Sequence, residues 1–227
     1  MSHIFPQSCR APLKNNHWLR LGIILTLGVG RLSASLVSSI PGGTVHPFPM
    51  VSVFGSGPQA VDLGITWSST NASTLGGSAF GYTGGYSFFA NGSWSGIDMA
   101  GLNDSFDVSS VTDTMTFAFS SPVAAVGGFL NYVPGASTPT RIAIYNSSMA
   151  LIESHNLTFL TGGGANTGRF LGFQQPTPDI SFFTLTDNYI GITNLTTRAM
   201  VPAVPEPAMA LPLLGLLGIL GFMRRVK

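Results

Sequence analysis

The strongest constraint on this chain is a two-residue rhythm of polar and apolar side chains, broken repeatedly by turn-forming residues. Thr114-Met-Thr-Phe-Ala-Phe-Ser120 alternates strictly, which places its apolar side chains on one face of an extended strand. Arg141-Ile-Ala-Ile-Tyr145 repeats the pattern, and Asp179–Thr186 and Tyr189–Leu195 supply two more strands, separated at Asp187-Asn188. Between such runs stand Gly76-Gly77, Gly84-Gly85, Asn91-Gly92, Pro134-Gly135 and Gly162-Gly163-Gly164. These favour tight reversals, because Gly and Asn tolerate positive φ and Pro fixes its own. No sustained helical stripe occurs outside the two ends. The body, residues 36–200, is therefore expected to be all-β: an antiparallel β-sandwich or jelly-roll-like fold. About 160 residues suffice for one such core.

The two ends read differently. Lys14 and Arg20 precede Leu21–Gly30, a run of Leu, Ile, Val, Gly and Thr. Ten helical residues reach about 15 Å, half of a bilayer core of about 30 Å. A basic front, a short apolar helix and the small-residue exit Ser33-Ala34-Ser35 describe a signal peptide over residues 1–35, removed by signal peptidase. At the other end, over residues 201–227, Pro205-Glu206-Pro207 precedes the apolar run Ala208–Met223, and Arg224-Arg225-Val226-Lys227 closes the chain. The prolines keep the approach extended and accessible. Sixteen apolar residues make a marginal transmembrane helix, and the basic cluster behind it stays cytoplasmic by the positive-inside rule, with Arg224 and Arg225 setting orientation.

This tail resembles the PEP-CTERM sorting signal of Gram-negative bacteria, with the tripeptide, the Gly/Leu-rich span and the terminal Arg pair in the same order. The resemblance implies that an exosortase reads Pro205, Glu206 and Pro207. It also implies delivery through an inner-membrane intermediate to the cell surface or to the extracellular matrix of biofilms and flocs. Pro212 inside the span departs from an ideal helix, which membrane helices tolerate. Two body segments are also similar to that family: the strand–Pro-Val–strand run from Met115 to Phe129, and Phe170-Leu-Gly-Phe173. In Ile192-Thr193-Asn194-Leu195, Thr193 stands where the family's phrase carries Asp.

Charge narrows the partners. All nine acidic residues lie between Asp62 and Glu206, opposed there only by Arg141, Arg169 and Arg198. An acidic body repels a phosphate backbone, so nucleic acid is not an expected partner. The single cysteine, Cys9, precedes the apolar run of the signal, which leaves the body without a disulfide or a thiolate metal site.

Catalytic signatures are sparse. His46 and His155 are far apart in sequence and read as turn or surface residues. There is no Gly-x-Ser-x-Gly elbow and no phosphate-binding Gly-Lys loop. The expectation is a protein without catalytic activity. Asp98, Asn103, Asp104 and Asp107, with Asp113 nearby, form the densest oxygen-ligand cluster, and calcium as a structural ion is the one cofactor they suggest. A solvated loop built on Asx turns is the alternative for the same residues. Asn71, Asn91, Asn103, Asn146, Asn156 and Asn194 each open an Asn-x-Ser/Thr sequon, read as composition rather than glycosylation. The stretch from Phe80 to Trp94 is rich in aromatics. If exposed, Tyr82, Tyr86 and Trp94 would offer stacking faces to an extracellular polysaccharide, as in a secreted carbohydrate-binding module; burial in the core is the commoner use of such rings.

Overall fold

The computed structural model describes residues 33–103, 112–135, 139–186 and 189–199. Within them the chain forms strands β1 (Ser35–Val37), β2 (Thr44–His46), β3 (Val53–Phe54), β4 (Gln59–Asp62), β5 (Ile65–Ser69), β6 (Ser78–Tyr82), β7 (Tyr86–Ser87) and β8 (Ser93–Trp94). They continue as β9 (Met99–Leu102), β10 (Thr114–Val123), β11 (Ala125–Tyr132), β12 (Arg141–Tyr145), β13 (Leu151–Asn156), β14 (Arg169–Gln174), β15 (Ile180–Thr186) and β16 (Ile190–Arg198). One 3-10 turn, Phe89–Asn91, is the sole helical element among the described residues.

The protein is all-β, with antiparallel pairing throughout the named strands. An eight-stranded sheet runs β1-β14-β11-β16-β9-β6-β3, with β2 also on β16; a six-stranded sheet runs β13-β12-β15-β10-β5-β4; β7 and β8 form a small ribbon. The two large sheets face one another in a sandwich-like arrangement. Trp67 of β5 stacks on Phe80 of β6 at 5.2 Å between ring centroids, and Phe48 lies 5.8 Å from Phe117 of β10 and 5.6 Å from Phe80. Across the six-stranded sheet, Trp67, Phe117, Phe183 and Ile144 are direct register partners, so strict alternation lines them up in one buried row.

The alternating runs become strands where expected, and β12 has the anticipated limits. β10 runs further, to Val123, because its register with β15 shifts between Ala118 and Val123. That irregularity accommodates Pro122, whose missing N–H would break a regular ladder. The Pro-Val phrase then carries the chain from one sheet to the other: β10 belongs to the six-stranded sheet and β11 to the eight-stranded one. The edge strand β13 carries Glu153, Ser154, His155 and Asn156, polar residues that discourage edge-to-edge association. The fold also reaches further back than residue 36. Ala34 is buried in the main core, and Ser35 opens β1.

Candidate functional site

The outer face of the eight-stranded sheet carries the most elaborated surface, and its shape follows from connectivity. β1 pairs with β14, while β2 pairs with β16, and β11 lies between those two. The connection Ser38–Gly43 must therefore cross three strands. It crosses the outer face as a strap. A Cβ on Gly43 would sit 2.7 Å from the Thr196 methyl and 2.8 Å from Ile40 Cγ2, so only glycine lets the strap lie this close. Arg198 donates to the Pro41 carbonyl at 3.3 Å.

Elsewhere on this face a second, smaller aromatic layer has formed. Tyr86, Phe88, Trp94 and Met99 make a cluster of their own. Phe88 packs edge-on against Trp94 at 5.0 Å and lies 4.9 Å from Tyr86. Gly191 is its floor, since a Cβ there would meet Phe88 and Trp94 at 2.9 Å. Polar bonds hold the layer down: Trp94 Nε1 donates to the Thr167 carbonyl and Tyr86 Oη to that of Leu102.

Between the strap and this layer lies a trough. On its floor, Phe129 of β11 sits directly opposite Phe170 of β14, with the rings perpendicular at 5.6 Å. Beside them β16 bulges. Gly127 pairs with Thr196 and Phe129 with Thr193, so β16 spends one residue more than β11 over this stretch. Ile190 and Ile192 point into the core ahead of the bulge, and Leu195 does so after it. Without the extra residue Asn194 would take a core position. Instead it is exposed on the outer face, with φ of 52°, a left-handed conformation that Asn adopts more readily than most residues. The trough has two lobes of about 390 and 240 Å³ that share Phe129 and Asn194.

The residues singled out from sequence fare unequally. Tyr86 and Trp94 are buried in the second layer, 8% and 1% exposed, which corrects their reading as stacking faces: the ribbon β7–β8 turns both rings onto the sheet. Tyr82 is half-buried and lines a separate cleft with Phe54, whose ring is 5.7 Å away. Of the calcium cluster, the described residues Asp98 and Asn103 are not brought together. Asp98 and Asn103 stand at opposite ends of the extended β9, roughly 16 Å apart along a strand, whereas ligands of one calcium lie within about 2.6 Å of it. Asp98 instead accepts from the Phe48 N–H at 2.9 Å, and the Asn103 N–H donates to the Gly77 carbonyl. Asp104 and Asp107 lie outside the described residues, and no group of potential metal ligands occurs within them. Asp113 is buried and accepts from Asn71 Nδ2 at 2.6 Å and Thr70 Oγ1 at 2.9 Å. Asn71 and Asn91 are buried too, so neither sequon presents an accessible amide.

His46 is a second departure: it is buried, not a surface residue. Its Nδ1 is 2.8 Å from Asp62 Oδ2 and its Nε2 is 2.8 Å from Thr197 Oγ1. The carboxylate can only accept, so in the neutral ring Nδ1 donates to Asp62 and Nε2 accepts from the Thr197 hydroxyl. A hydroxyl, an imidazole and a carboxylate in line suggest a catalytic triad, but the exposure is inverted. Thr197 is 7% exposed while the Asp62 side chain is 52% exposed, which hides the would-be nucleophile and leaves the carboxylate in water. The arrangement is a clasp joining β2 and β16 of one sheet to β4 of the other.

The His46 hydrogen bond and, after it, the Leu63 N–H hold the Asp62 carboxyl below its ordinary value of 3.8. The clasp therefore stabilises the fold above that value, and the contribution is lost as pH falls through the lower folded-state value. Asp62→Asn is expected to lower stability modestly at pH 7, where the clasp is intact in the parent, and to flatten the acid limb below about pH 4, where the two proteins converge. Urea midpoints measured from pH 2 to 7 check this; an acid limb as steep as in the parent would contradict it.

Residues 1–32, Pro205, Glu206, Pro207, Arg224 and Arg225 lie outside the described residues. Within those described, no helix is long and apolar enough to cross a membrane. Comparison with protein-family models, curated proteins and solved structures returns no match.

Proposed function

We propose that this chain is an exported, non-catalytic surface or extracellular-matrix protein of a Gram-negative bacterium, processed by an exosortase at its C-terminal tail. The observation that carries this reading is the tail itself: Pro205-Glu206-Pro207, the apolar run Ala208–Met223, and Arg224-Arg225 occur in the order that export, arrest and cleavage require. In this reading the signal helix and the transmembrane sorting helix flank the β-sandwich body and are both removed. Ala34 lies in the core and Ser35 opens β1, which favours a signal-peptidase cut before Ser33 rather than near Ser35. A cut after Ser35 would take a core residue away.

Replacing Pro205, Glu206 and Pro207 together by Ala in the native host is expected to leave the protein full-length at its C-terminus and retained in the inner membrane. Immunoblots of membrane and secreted fractions, with mass spectrometry of both mature ends, provide the measurement. Normal release of the triple variant would overturn the proposal.

A further inference from the structure

The trough on the outer face is built where the fold had simpler options. The Phe129–Phe170 pair strengthens the sheet as any cross-strand aromatic pair does, by about 0.2–1 kcal/mol. That does not account for Phe129 remaining 43% exposed, nor for the left-handed Asn194 beside it. Strained non-glycine residues of this kind concentrate where a side chain has been re-aimed for recognition.

The polar groups sort into two classes. Thr193 Oγ1 donates to the Asp98 carbonyl and Thr196 Oγ1 to the Asn194 carbonyl, so both hydroxyl protons are engaged in holding the bulge. The Asn194 carboxamide has no hydrogen-bond partner among the described residues. It is exposed in the trough, able to donate and accept at once. Ser38 and Ser39 of the strap add hydroxyls on one wall, and Asn166 stands on the other. No ionisable side chain lines either lobe. The clefts nearer the sheet ends differ, one holding Arg198 and another Arg141.

We infer that this trough is a binding site for a neutral saccharide chain. A sugar ring presents an apolar C–H face and a rim of hydroxyls that both donate and accept. The site offers the complement: an aromatic surface held in place by a perpendicular neighbour, an adjacent free carboxamide, and uncharged hydroxyls. Two lobes meeting at Phe129 and Asn194 suit a polymer lying across the pair better than a compact ligand. The strap and the Trp94 layer flank the floor, so a flat protein surface, including a second copy of this sheet, is hindered from lying down on Phe129. The inference goes beyond delivery to the surface and is independent of it, since the site belongs to the body whichever enzyme trims the tail.

The test is affinity electrophoresis of the purified full chain in gels containing mixed-linkage glucan, xylan or galactomannan, with alginate as the acidic comparison. Retardation by at least one neutral polymer is expected, and none by alginate. Phe129→Ala and Asn194→Gly should each weaken the retardation at least tenfold. Asn194→Gly removes the carboxamide and relieves the positive φ, so its melting temperature should be unchanged or higher, which separates lost binding from lost folding. Leu63→Ala, at a fully exposed turn distant in sequence from the trough strands, should bind like the parent. Absence of retardation by all three neutral polymers, retardation by alginate instead, or retardation that survives both trough variants would each overturn the inference. Failure of exosortase processing would leave these results untouched.

Discussion

Replacing Phe117 with Ala is expected to destabilise the fold by about 3–5 kcal/mol. Phe117 is fully buried between Trp67 and Phe183 in the register of the six-stranded sheet, and stacks across the core on Phe48. Truncation removes the transfer free energy of a whole ring and leaves a void at the centre of the aromatic row. Neighbours drawn from β5, from β15 and from Phe48 across the core cannot all close in on it. Each kcal/mol shifts the melting midpoint by about 2–4 °C at this size, so the midpoint should fall by roughly 10 °C. Thr116→Ala, on the other face of the same strand and half-buried, should stay within about 0.5 kcal/mol of the parent. Thermal and urea denaturation of the full chain supply both numbers. A Phe117→Ala protein as stable as the Thr116→Ala control would contradict the assignment of this row as the centre of the core.

Asn91→Ala is expected to cost on the order of 3 kcal/mol, for a different reason. Asn91 is fully buried, and its side chain serves three backbone groups. Nδ2 donates to the carbonyls of Tyr132 at 3.0 Å and Phe159 at 3.4 Å, and Oδ1 accepts from the Thr161 N–H at 3.1 Å. The Asn91 carbonyl accepts in turn from Asn131 Nδ2 and Thr161 Oγ1. One amide therefore ties the 3-10 turn of the second layer to the end of β11 and to the 157–161 segment. Alanine would leave each of the three groups desolvated without a partner, and each orphan costs about 1–3 kcal/mol unless water enters. Burial raises the pKa of Tyr132, whose hydroxyl donates to Phe159, so the same junction should loosen further in strong alkali. The expected signature is a red-shifted Trp94 emission and early proteolysis between 157 and 168, ahead of global unfolding. Asn146→Ala, where the side chain only closes a surface turn through Ser148 and Ala150, should show neither. Loss of global stability with no local change around Trp94 would argue against a separable second layer.

These two residues show how differently a core and a junction are written in a chain. Phe117 could be placed in the core from the sequence because period-2 alternation is a local property: a strand's geometry alone assigns it to the apolar face. Asn91-Gly92 was legible as a turn for the same reason, since Gly supplies the positive φ it shows here. That the Asn91 amide points inward to three distant carbonyl and amide groups depends on β11 and the 157–161 segment arriving there, more than forty positions away in each case. His46 belongs with Asn91. Nothing near it in sequence announces Asp62 or Thr197; two sheets had to meet before the clasp existed.

The trough shows both sides of this division. Its signal was present in the chain: the apolar positions Ile190, Ile192 and Leu195 break step by one residue at Asn194, as a bulge requires. The aromatic stretch from Phe80 to Trp94 is the louder pattern, and composition does not tell a ring facing solvent from one pressed onto Gly191. What the sequence determined alone was everything governed by neighbours along the backbone: the all-β class, most strand positions and the turns, because those follow from local dihedral preference and side-chain alternation. The tertiary structure decided which sheet each strand joins, that the strap crosses the outer face, and which aromatics and amides are left facing water. Those outcomes depend on pairings between residues tens of positions apart, whose identity local preference does not encode.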